Sequence, residues 1–165
     1  MRILGIDPGY AIVGWGVLDY IGNKFSVVDF GSIQTSADMD FNDRLLTIYD
    51  ELDSIIKRTK PQFLSIEKIF YNSNAKTAIN VSQARGVLLL CSIKNNLEIF
   101  EYTPLQVKQS VVGYGRAEKK QIQEMTKIIL NLRQIPKPDD TADALAMAIC
   151  HAHSFGSLIF KGKIK

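Results

Sequence analysis

Apolar positions along the chain change period in well-marked blocks. Residues 2–7, RILGID, are a short apolar run and read as a strand. Residues 12–20, IVGWGVLDY, and 24–33, KFSVVDFGSI, read as two more, with hairpin-turn chemistry at Ile21-Gly22-Asn23 between them. Together they predict an antiparallel meander. From Phe41 the period becomes helical: Phe41, Leu45, Ile48, Leu52, Ile55 and Ile56 recur on one side, with charges on the other. Asp38 or Asp40 can cap this helix, and Pro61 ends the connection after it.

Residues 62–67, QFLSIE, read as a buried strand that ends in a carboxylate. The loop KIFYNSN leads to a helix over about residues 75–95, with Ala78, Val81, Ala84, Val87, Leu88 and Cys91 as its stripe. Residues 97–102, LEIFEY, are a fifth strand, and Pro104 opens a short helical turn in TPLQVKQSVVG. A further helix is predicted over about residues 117–132, on Ile122, Met125, Ile129 and Leu132. Pro136 and Pro138 mark a rigid linker before the last helix, DTADALAMAICHAH, residues 140–153. Its stripe is Ala142, Leu145, Ala146 and Ile149. Three strands, a helix, a strand, a helix, a strand and then helices imply an α/β fold, a mixed five-stranded sheet flanked by helices. With no repeat, low-complexity tract or inter-domain linker, residues 1–165 read as one domain, with a short basic tail from about residue 157.

Composition narrows the class only a little. Hydrophobic residues make up 46% and charged residues 22%, as in an ordinary globular domain. No apolar run reaches the length of about 18 residues that a membrane span needs. Arg2 precedes only four mostly apolar residues before Asp7, so no secretory signal is expected and the cytoplasm is the expected compartment. The net charge of +3 is compatible with a nucleic-acid binder whose acidic site offsets its lysines, though many other proteins share it. Cys91 and Cys150 are expected to be reduced and packed. The run Cys150-His151-Ala152-His153 lacks the CxxC partner of a zinc site.

The carboxylates change the picture more. Asp7 ends the first strand and is followed by Pro8-Gly9, which a plain turn would also explain. Glu67 directly follows FLSI with no turn chemistry around it, so it needs a partner or a function. Asp140 and Asp143 are three apart at the start of the last helix and share a face; capping and the helix dipole are the simpler explanation there. The strands ending in Asp7 and Glu67 can lie side by side. Several carboxylates at one spot repel each other unless cations are present, and hard oxygen ligands suit Mg²⁺ or Mn²⁺. Two such ions about 3.5–4 Å apart form the clamp used in phosphodiester hydrolysis.

Read together, LGIDPG, SIEKIF with Asn74 following, QARG at residues 83–86, EYTPLQVKQSVVG, AEKKQ and DDTADALAMAICHAH resemble the RuvC family of crossover junction endodeoxyribonucleases. The blocks are in order from residue 1 to about 154. GIDPG alone is shared more widely, by actin-like ATPases and other members of the ribonuclease H-like superfamily. The resemblance implies a ribonuclease H-like fold, a homodimer and a Mg²⁺-dependent nuclease that resolves Holliday junctions by paired nicks in recombination and repair. It also implies a branch-migration helicase, RuvA and RuvB, as partner. The family's acidic positions fall on Asp7, Glu67, Asp140 and Asp143, and its functional lysines on Lys108 and Lys119. Asp139 lies outside that spacing. An aromatic at Phe70 is implied to meet unstacked junction bases, with Tyr71 beside it as the other candidate.

Lys76 and Arg85 on the following helix could meet phosphates, or be solvated surface charge. The lysines could be plain helix lysines, and Phe70 and Tyr71 a small satellite core. Gly86 in mid-helix costs about 1 kcal/mol against Ala, which predicts close packing there, at a core crossing or a dimer contact. Three other functions are weighed against a resolvase. An actin-like ATPase or sugar kinase needs a second domain and another phosphate loop. A non-catalytic junction binder would not need four carboxylates. A nuclease of the same superfamily acting on a different substrate is the nearest rival.

Overall fold

The computed structural model describes residues 1–68 and 75–160, with side chains described for 1–68 and 77–156. β1 (Arg2–Asp7), β2 (Ile12–Ile21) and β3 (Lys24–Gln34) form the antiparallel meander. Gly22 and Asn23 turn the hairpin at φ values of 55° and 63°, the left-handed pair that a tight two-residue turn requires. α1 (Phe41–Thr59), β4 (Phe63–Glu67), α2 (Ala75–Lys94) and β5 (Glu98–Tyr102) follow, then α3 (Pro104–Val112), α4 (Lys119–Ile129) and α5 (Asp139–Phe160). The sheet order is β3-β2-β1-β4-β5, with β4 parallel to both β1 and β5.

The two-residue period of the strands divides the core. Leu4, Ile6, Val13, Trp15, Val17, Leu64 and Ile66 face α1 and α2, against Ile48, Leu52, Ile55, Ala84 and Leu88. Ile3 and Leu18 face the other way, toward Val107, Val111, Leu145 and Ile149 of α3 and α5. The sheet is thus covered on both faces.

Boundaries differ from expectation where local chemistry decides. Asp40 occupies the cap position of α1 but its side chain makes no capping bond, and Asp38 instead accepts from the Ser36 hydroxyl. α4 is shorter than expected because Glu118 and Gln121 form a reciprocal cap at one end, and Asn131 turns left-handed at φ 50° at the other. α5 begins at Asp139 and runs past residue 153, since Phe155 packs on Phe63 and His151 and favours continuing the helix. Gly86 does not mark a core crossing. It is exposed, and a Cβ placed there meets nothing within 4 Å.

Candidate active site

Strand alternation puts Gly5 and Asp7 of β1, and Ser65 and Glu67 of β4, on the α5 face. The parallel register pairs Ile6 with Ile66, so Asp7 and Glu67 each lie one step beyond, at the same end of the sheet. α5 crosses that end at close range because glycines clear its path. A Cβ at Gly14 would lie 1.9 Å from the Asp140 carbonyl oxygen, and one at Gly5 would lie 2.0 Å from that of Ala144. Two buried or half-buried hydroxyls fix the crossing: Ser65 Oγ donates to the Met147 carbonyl at 2.6 Å, and Thr141 Oγ1 to the Gly31 carbonyl at 3.1 Å. Asp143 is thereby carried over the strand ends, with Asp140 one helical turn before it.

The result is a cleft of about 230 Å³. Asp7, Glu67 and Asp143 line it together with Lys108 from α3 and Lys119 from the start of α4. Val107, Ile122 and Met147 give it an apolar wall. Lys119 Nζ lies 2.8 Å from Asp143 Oδ2.

Electrostatics in the cleft are unbalanced. Burial, and then the charges of Asp143, Glu67 and Asp140, push the Asp7 carboxyl up to about 8, while Lys119 pulls the other way. Burial and Asp143 raise Glu67. Burial raises Asp143 too, against its bond to Lys119. In turn Asp143 raises Lys119. An excess of carboxylate oxygens in a half-buried cleft fits a hard divalent cation, which offsets the repulsion and takes oxygen ligands. As the side chains stand, no three ligand-type groups among the described residues already converge on one ion. A cation bound here competes with Lys119 for Asp143.

Thus Asp7, Glu67, Asp143, Lys108 and Lys119 meet in one cleft. Asp140 does not line it but acts on Asp7 through its charge. Asp139 pairs with Lys137 at 2.6 Å. Arg85 lies beneath the strand end, with its Nε 3.2 Å from the Glu67 carbonyl oxygen. Phe70 and Tyr71, and the Lys76 side chain, lie outside the described residues. The two histidines of the last helix point apart: His151 Nδ1 is 2.8 Å from the Tyr102 hydroxyl, and His153 Nδ1 is 2.9 Å from the Ser110 carbonyl. Pattern reading missed Gly5, Gly14, Gly16 and Ser65. The signal was present, in glycines at alternate strand positions where a helix must come close.

Known proteins share this sequence and this fold. The family described as "Crossover junction endodeoxyribonuclease RuvC" matches residues 3–151. The protein of that name from Ruminiclostridium cellulolyticum is 60% identical over 161 residues, covering 96% of this chain and 97% of its own length. Thermus thermophilus RuvC superposes with a TM-score of 0.88 at 30% identity, covering 95% of this chain and 96% of that one. The structure of T. thermophilus RuvC in complex with Holliday junction substrate gives 0.87 at 28% identity, with the same coverage.

Proposed function

Since the chain belongs to the RuvC family of crossover junction endodeoxyribonucleases, we propose that its cleft hydrolyses phosphodiesters at four-way DNA junctions and that two copies make paired, symmetric nicks. The observation that carries the reading is the meeting of Asp7, Glu67 and Asp143 with Lys108 and Lys119 in one half-buried cleft. Asp7, Glu67, Asp140 and Asp143 would hold Mg²⁺, two ions per subunit, with Mn²⁺ as a substitute. When bound, the ions supply a nucleophile from water and stabilise the leaving oxygen, so the products carry a 5′-phosphate and a 3′-hydroxyl.

The chain's own groups do the rest. The strand ends hold Asp7 and Glu67 rigidly, and the glycine-cleared crossing sets Asp143 opposite them. Lys119 pairs with Asp143 and, with that carboxylate held by metal, would be free to turn toward charge developing on the scissile phosphate. Lys108 faces the same space from α3. The apolar wall of Val107, Ile122 and Met147 lowers the local dielectric and strengthens these interactions. Phe70, Tyr71 and Lys76 follow Glu67 closely in sequence, which suits rings that stack on unpaired bases and a lysine that meets phosphates.

Dimerisation has its own support. Ile79, Leu90 and Ile93 of α2 are 59%, 54% and 60% exposed, and with Gly86 they form one helical stripe. A second copy of the same stripe is its self-complementary partner, and the bare Gly86 lets the helices approach closely.

The test is single-turnover cleavage of a synthetic four-way junction with Mg²⁺, beside a gel-shift measurement in Ca²⁺. Asp7→Asn, Glu67→Gln, Asp140→Asn and Asp143→Asn should each lose cleavage by more than about 100-fold and keep junction affinity. Lys119→Ala and Lys108→Ala should slow the saturated rate by about 10- to 100-fold. An active Glu67→Gln variant would sink the assignment. Lysine variants that lose only affinity would become backbone contacts.

A further inference from the structure

Arg85 stands apart from the other cations near the cleft. Its side chain is only 12% exposed, and its guanidinium is paired with Glu101 of β5. The Nε–H of the same guanidinium donates to the Glu67 carbonyl oxygen. Pairing between β4 and β1 stops at Ile66, so Glu67 has no ladder partner on that side. Beyond it, the Lys68 N–H donates to the Tyr102 carbonyl at 2.9 Å. The peptide that carries the Glu67 side chain is therefore gripped from β5 and from α2. A guanidinium has the fork geometry to hold a carbonyl and a carboxylate at once, which an ammonium lacks.

From this contact set we infer that Arg85 is a positioning residue: it fixes the Glu67 backbone, and so the aim of the Glu67 carboxylate, and does not contact DNA phosphates. The inference rests on the reading of Glu67 as a metal ligand. A phosphate contact needs donors at the surface, and here the guanidinium is largely covered, with its Nε on the Glu67 carbonyl and its Nη2 on Glu101. Removing a group that orients a metal ligand weakens ion binding while leaving the ligand itself in place. Glu101 is 44% exposed, so freeing it strands no buried charge, and the loss falls on the orientation of Glu67.

The experiment uses the full chain and three variants, Arg85→Ala, Arg85→Lys and Glu101→Gln. Mn²⁺ binding to the DNA-free protein is followed by electron paramagnetic resonance. Junction affinity is measured in Ca²⁺, and the Mg²⁺ midpoint of single-turnover cleavage is measured on a four-way junction. Arg85→Ala should weaken Mn²⁺ binding and raise the Mg²⁺ midpoint by about 5- to 10-fold or more, with junction affinity changed by less than about twofold. Arg85→Lys should recover part of the loss, because the charge remains paired while the fork is gone. Glu101→Gln, a change at an exposed carboxylate, should shift both metal readouts in the same direction by less, and it serves if Arg85→Ala fails to fold. A tenfold loss of junction affinity with unchanged metal response would overturn the inference and make Arg85 a phosphate contact. No change in any readout would also overturn it. Glu67→Gln, run alongside, separates the two layers. If it stays active, the metal-ligand reading itself fails. If it is inactive while Arg85→Ala has normal metal response, only the positioning role fails.

Discussion

His151 sits beside Cys150 on α5, two residues before His153. In the fold its ring is fully buried among Phe63, Phe100, Tyr102 and Phe155. Its Nε2 has no hydrogen-bond partner among the described residues. Burial pulls its pKa down to about 4 from an ordinary 6.5. Between those values the unfolded chain holds the extra proton and the native state does not, so stability falls as pH drops through that window. By pH 5 the loss is about 2 kcal/mol. Urea unfolding of wild type and His151→Gln at pH 7 and pH 5 checks this. The variant should be less stable at pH 7, through lost packing, and the gap should narrow at pH 5. A gap independent of pH would mean that His151 is not held neutral.

At the scale of elements, the decisive event is the crossing of α5 over β1 and β2. Both strands were legible from their apolar runs, and α5 from its stripe. Their contact was not, because it depends on what is missing: side chains at Gly5, Gly14 and Gly16. Any Cβ at Gly14 collides with the backbone of Asp140, which cannot swing aside as a flexible side chain could. Gly14→Ala should therefore push the start of α5 outward and separate Asp140 and Asp143 from Asp7. The expected outcome is a loss of about 2–4 kcal/mol in denaturant unfolding, and a fall in cleavage rate of 10-fold or more in the molecules that remain folded. Gly86→Ala is the control within a helix. It meets open space in one chain and should raise monomer stability slightly through better helix propensity.

For the whole molecule, the exposed stripe of α2 lies on the helix that also carries Arg85, the neighbour of Gly86. Leu90→Glu should place two charges in the middle of the proposed two-fold interface and shift the protein to monomer in light scattering. On a cruciform plasmid the wild type should give linear product from two nicks within one complex. The variant should give mainly relaxed circles. A Leu90→Glu protein that remains dimeric and still linearises plasmid would move the interface elsewhere.

Much of this was written locally. Strand and helix periods, the hairpin turn at Gly22-Asn23 and the succession of five strands and their helices along the chain follow from short-range patterns of burial, because each element must hide one face or both. Asp7, Glu67, Asp140, Asp143, Lys108 and Lys119 were singled out by carboxylates at element ends and by family resemblance. The fold decided what no local pattern carries. It brought five of those six into one cleft, with Asp140 outside the lining but close enough for its charge to act on Asp7. It pushed Asp7 up to about 8 through burial and neighbours distant in sequence. It also turned Arg85 inward, onto Glu101 and the Glu67 carbonyl. Those outcomes depend on distances between residues far apart in the chain, and such distances exist only once the sheet and α5 have packed.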